Sequence, residues 1–134
     1  PGGSYWSGWT RFVKTHLLAD GYISEPDLYL FERVEDIDAA AAAINRFYFR
    51  YHSLRYIDNQ TVLRLTAPID QDRANALKSD FKTLLSPGGD MFLSGPLPAE
   101  ADEPETAHLP RLVVDFNRKN FGSLKQLINA INHE

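Results

Sequence analysis

The chain contains no cysteine. That excludes disulfides, thiolate nucleophiles and cysteine-ligated zinc or iron–sulfur sites, and it agrees with a reducing, cytoplasmic location as the expected one. There is no excess of basic charge. Fourteen Lys and Arg stand against eighteen Asp and Glu, for a net charge of −4, so no global field invites nucleic acid. No apolar run approaches the roughly 20 residues needed to cross a bilayer, and no signal-peptide pattern is visible; no membrane partner is expected. The four histidines, His16, His52, His108 and His133, are scattered. No pair has the i, i+4 spacing of a helical metal site, so neither a metal nor another cofactor is expected. No Ser–His–acid set and no working pair of carboxylates can be nominated.

What is present is an ordinary globular composition, 43% hydrophobic and 24% charged over 134 residues. That length fits one domain, or the tail of one domain plus a small second one. The chain opens on "PGGSYWSGW" rather than on Met. A glycine pair leading into a helix can aim consecutive amides at a phosphate. The phosphate-binding loop also wants Lys and Ser or Thr after the glycines, and neither stands at that spacing. The competing reading is a connector that feeds two tryptophans into a core.

Hydrophobic spacing predicts a helix from Ser4 to Ala19, with Trp6, Trp9, Phe12, Val13 and Leu17 on one face and Gly21 as its stop. "SEPD" reads as a capped turn. Leu28 to Val34 then reads as a strand, apolar on both faces at its start as a buried parallel strand would be. Asp36 caps a second helix whose stripe is Ile37, Ala40, Ala41, Ile44, Phe47, Tyr48 and Tyr51. Asp58 and Asn59 signal a turn. A strand over "TVLRLTAP" follows, then a helix from Asp70 with Leu77, Phe81, Leu84 and Leu85 inward, then a short strand over "MFLSGPL". "PAEADEPETAHLP" reads as an acidic, solvated loop. "RLVVDFN" is the best strand of the chain and is placed centrally, with Phe116 on its inward face. Ser123 is the expected cap of a last helix.

From Thr61 the predicted order is strand, helix, strand, strand, helix, which is a ferredoxin-like split unit without its last strand. Residues near Arg55 to Ile57, or Leu28 to Val34, could supply a fourth. The fold class is therefore α+β.

The most unusual stretch is "RFYFRYHSLRY". Arg46, Arg50, His52 and Arg55 interleave with Phe47, Phe49, Tyr51 and Tyr56. Arginines can grip an anion in a fork, and aromatics can stack on a base. A solvated helix face ending in dipole-complementing charge has the same appearance. Both readings stay open on the sequence: a small-anion or nucleotide site at those four residues, or structure alone.

Over its whole length the chain resembles the C-terminal part of bacterial LOG-like ("lonely guy") Rossmann-fold nucleotide-binding proteins, a group that also carries a lysine decarboxylase label. The segments that carry the resemblance are "PGGSYW", "GYISEPDLYLFERVED", "FYFRYHSLRY", "LPAEADEPE" and "LPRLVVDFNRKNFGSLKQLINAIN". The family signature is P-G-G-x-G-T-x-x-E. Here Tyr5, Trp6 and Trp9 stand where the family has Gly, Thr and its catalytic Glu, so the opening is the connector and not the active-site loop. The resemblance implies a parent that hydrolyses the base–ribose bond of nucleoside monophosphates, and it implies assembly. It implies that residues 1–35 are the last helix and strand of a Rossmann-like domain whose N-terminal half is absent, with residues 36–134 a C-terminal α/β module. The expected role is an accessory module that serves assembly or completes a ligand site, without catalysis of its own and with self-association through residues 1–35. The alternative is a free-standing regulatory domain that binds a small anion or nucleotide through Arg46, Arg50, His52 and Arg55.

Overall fold

The computed structural model describes residues 4–133. Pro1, Gly2 and Gly3, on which a phosphate cradle would rest, lie outside them. The fold is mixed α+β, as the element pattern predicts. Strands β1 (Tyr51–Ile57) and β2 (Gln60–Leu65) form a hairpin about the two-residue turn at Asp58 and Asn59, with Asp58 at φ 51°. Short polar side chains tolerate that left-handed conformation best after glycine. Helix α3 (Gln71–Asp80) follows, then β3 (Met91–Ser94), β4 (Arg111–Val114) and α4 (Phe121–Asn132).

The four strands lie in the order β1-β2-β4-β3, antiparallel throughout. β2, α3, β3, β4 and α4 make the expected split unit. The missing fourth strand comes from β1, which precedes the unit in the chain and pairs with β2. β4 is central, between β2 and β3, as its apolar residues on both faces predict. Alternation then divides the sheet. Leu63, Leu65, Leu112 and Val114 face a core completed by Leu77, Leu84, Leu124, Leu127, Ile128 and Ile131 from the helices. Phe116 joins that core just past β4, 2% exposed, and bridges to Leu85.

The caps at Asp36 and Asp70 are found where the sequence places them. Each carboxylate accepts a hydrogen bond at 2.7 Å, from the amides of Ala39 and Arg73 respectively, and starts helix α2 (Ile37–Phe47) or α3. The first helix, α1 (Ser4–Phe12), continues as a wider π-helical stretch from Val13 to Leu18. It stops at Gly21, whose φ of +77° is a glycine conformation.

Two expectations are corrected. Leu28 to Val34 is not a strand: Glu25–Leu30 is a 3₁₀ helix, followed by extended chain in no ladder. The cause is local. Pro26 sits in its first turn, and Ser24 and Asp27 exchange capping bonds, the Ser24 amide and hydroxyl donating to the Asp27 carboxylate at 2.9 and 2.8 Å. Ser123 is not the cap of α4 either. The helix begins at Phe121 with Asn120 at the cap position, and Ser123 is buried within the first turn. Gly122 fixes this end of the molecule. A Cβ there would stand 2.1 Å from the Pro26 carbonyl oxygen, so only glycine lets the 3₁₀ helix lie against α4.

Candidate functional site

The four basic residues singled out in "RFYFRYHSLRY" part company. Arg46, near the end of α2, pairs with Glu32 at 2.9 Å, both side chains mostly exposed. Arg50 is held through its backbone: its amide donates to the Asn132 side-chain oxygen at 2.8 Å, and its carbonyl accepts from the Thr66 amide at 2.7 Å. His52 is exposed, its Nδ1 2.8 Å from the Ser53 hydroxyl. Arg55 is on the other side of the sheet, because Leu54 faces the core and strand alternation turns its neighbour away.

There Arg55 meets the acidic loop, and the expectation of a solvated loop is corrected. Arg55 Nη1 donates to Asp102 at 2.6 Å and to Glu103 at 3.0 Å. Arg64 and Arg111, on neighbouring strands of that same face, both reach Glu100. Arg64 Nε donates to it at 2.9 Å and Arg111 Nε at 3.2 Å. Arg64 also pairs with Glu103, and Arg111 donates to the carbonyls of Thr106, at 2.9 Å, and of Leu109. The Leu97 amide completes the set by donating to Glu100 at 2.9 Å.

The Glu100 and Arg111 side chains are fully buried. Burial alone would raise the Glu100 carboxyl. The Leu97 amide and the two guanidiniums outweigh it and hold the group below the ordinary carboxylate range. Every charge in this cluster is answered within the chain. It is a clamp that ties the segment from Pro98 to Thr106 over the second face of the sheet.

The surface left unanswered lies elsewhere. Among the described residues, twelve of the fourteen exposed large hydrophobic side chains fall between Tyr5 and Phe49. α1 presents Trp6 at 54%, Trp9 at 38% and Phe12 at 51% exposure. These rings are ordered into a ladder. Tyr5 meets Trp6 edge-on at 5.0 Å, Trp6 meets Trp9 at 6.0 Å, and Trp9 meets Phe31 at 4.7 Å. The extended chain after the 3₁₀ helix runs alongside, with Arg33 donating to the Ser7 hydroxyl at 2.8 Å. Between them lies an apolar cleft of about 350 Å³, lined by Trp6, Trp9, Phe31 and Val34.

Exposed aromatic arrays of this extent are characteristic of interaction surfaces, since Trp and Tyr bury large rigid area at low entropic cost. Sequence reasoning offered two places for these rings, a core or a self-association surface within residues 1–35, and the structure leaves them exposed. No helix among the described residues is long and apolar enough to cross a membrane, and no group of three or more His, Asp and Glu among them could hold a metal ion. Comparison with known proteins finds no matching family model, no matching curated protein and no matching solved structure.

Proposed function

We propose that this chain is the accessory, C-terminal module of a LOG-like nucleotide-binding protein, and that its work is assembly rather than catalysis. What carries this reading is the aromatic ladder of α1 with Phe31, an apolar face that the described residues cover only in part. Two things support the LOG-like parent: the sequence resemblance, and the position of that face in the segment the resemblance assigns to the edge of a Rossmann-like domain. No catalytic role falls to Trp9, because an indole cannot exchange the proton that the family's Glu handles.

The assembly half of the proposal is tested by sedimentation velocity on the whole chain at micromolar concentration. The expected result is a dimer or larger species that becomes monomeric in Trp6→Ser/Trp9→Ser. A wild-type monomer across that range, with both indoles emitting as solvent-exposed, overturns it. The parent half is tested in the gene: the frame upstream of the Pro1 codon is expected to encode P-G-G-x-G-T-x-x-E. A start codon directly before Pro1 overturns that part.

A further inference from the structure

Where the 3₁₀ helix, α2 and α4 meet there is a cavity of about 380 Å³, separate from the aromatic cleft in all but Phe31 and Glu32. One wall is apolar and aromatic, from Tyr29, Phe31 and Phe47; Arg46 and Lys125 bring cationic groups to it. Asn132 makes its frame rigid. Its side-chain oxygen accepts from the amides of Arg50 and Tyr51 at 2.8 and 2.9 Å, and its side-chain nitrogen donates to the Phe47 carbonyl at 2.6 Å. That buried residue ties the end of α2 and the start of β1 to α4.

Lys125 is the informative group. Its ammonium lies 3.9 Å from the centre of the Phe47 ring and donates to Asn129 Oδ1 at 3.0 Å. No carboxylate among the described residues stands within ion-pair distance of it; Glu32 acts on it only from farther away. Partial burial pulls the Lys125 ammonium below its ordinary value. A half-buried cation answered by one amide oxygen and a ring face is under-compensated. Arg46 can be recruited cheaply beside it, because its pair with Glu32 is exposed and such pairs contribute little.

We propose that this cavity binds a small organic anion, with the carboxylate or phosphate on Lys125 Nζ and Arg46 and the apolar body against Phe47, Tyr29 and Phe31. The size suits a ligand of modest dimensions, and the pairing of an apolar wall with a few convergent polar groups is how such sites are built. The proposal keeps Arg46 from the basic cluster of the sequence. It replaces the other three with Lys125, a residue 79 positions further along the chain than Arg46.

The test is a titration of the isotope-labelled whole chain, followed by NMR, with benzoate in one arm and orthophosphate in the other, and chloride at matched ionic strength as reference. Saturable shifts are expected at the amides of Phe47, Lys125 and Asn129. Lys125→Gln is expected to weaken binding at least about tenfold, while Lys125→Arg retains it. A benzoate response identifies an organic carboxylate as the ligand type, and a response to orthophosphate alone identifies a phosphate. Absence of a saturable response to either anion, or an unchanged affinity in Lys125→Gln, overturns the proposal. Trp6→Ser/Trp9→Ser is expected to leave the titration unaltered, which separates failure here from failure of the assembly reading.

Discussion

Residues 4–49 are the more aromatic part of the chain, yet they bury far less than residues 50–133. Among the described residues, eighteen of the nineteen buried hydrophobic side chains lie from Tyr51 onward, and Val13 alone precedes them. The second region has a sheet to bury against. The first has three helical pieces and no sheet of its own, and it touches the body mainly where the Glu25–Leu30 turn lies on α4. Ile37, at the start of α2, is 86% exposed although it belongs to a well-formed amphipathic stripe. A periodic apolar face states that an element must be covered; it does not state by what. In the body the cover comes from distant parts of the same chain. In the arm the proposed cover is another protein surface.

The contrast breaks most sharply in the body. Phe116→Ala is expected to cost about 3–5 kcal/mol, the range for truncating a buried aromatic ring, measured by chemical denaturation. A loss below about 1 kcal/mol would mean that the inward face of the sheet tolerates a void, and that body and arm are less different than their burial implies.

The clamp gives the next effect, of comparable size. Glu100→Gln leaves two buried guanidiniums, Arg64 and Arg111, short of a carboxylate. Removing one partner from a buried ion cluster costs about 3–5 kcal/mol. The pH dependence has a definite sign. Glu100 is held below the ordinary carboxylate range in the folded chain, so its contribution is complete above the unfolded carboxylate value, about 4.3. It is lost as pH falls through the lowered folded value. Asp102 and Glu103 are lowered as well, Asp102 first by its hydrogen bond with Arg55 and Glu103 by that with Arg64, so the acid limb has the same direction for all three. In Glu100→Gln that limb is expected to flatten; an acid-unfolding curve parallel to wild type would show that Glu100 does not titrate with folding.

The body was legible because its signals agree with one another. The aspartate cap at Asp70, the Asp58–Asn59 turn and the apolar residues of "RLVV" each specify one structure. Two of the failures have clear physical causes. Leu28 to Val34 has strand-like composition, but Pro26 and the Ser24–Asp27 exchange bend its start into a 3₁₀ turn. The acidic loop looked solvated because each strand was read alone. Arg64 interrupts β2 and Arg111 opens β4, both otherwise apolar on two faces there, and a buried charge in such a position demands a carboxylate partner. The densest acidic run of the chain lies between those strands, so the signal existed as a pair of long-range facts. Lys125 carried no such signal. Its cavity arises from three elements meeting, and nothing in "SLKQLIN" announces that.

Where arm and body touch, Gly122 is the joint. Gly122→Ala places a methyl group against the Pro26 backbone. The backbone there cannot swing aside as a long side chain would, so a loss of about 1–3 kcal/mol is expected from overpacking. The loss should be regional. Hydrogen exchange should quicken at Asp27 and in the first turn of α4 while β2 and β4 stay protected. Uniform quickening through the sheet would show that the Glu25–Leu30 turn is part of the body's cooperative unit.

The smallest effect is expected on the face that carries the proposed function. Trp6 and Trp9 contact each other, Tyr5 and Phe31, yet each keeps a large part of its surface in water. Substituting Ser for both removes apolar area that the single chain buries only in part, so the monomer's unfolding free energy should fall by no more than about 1 kcal/mol per site. The measurement has to be made at several protein concentrations. Association stabilises the folded state by mass action, so the wild type should gain stability with concentration and the double variant should not. Equal concentration dependence in the two proteins would place the contact surface away from α1. A large loss in the dilute limit would mean that the two indoles serve the chain's own fold.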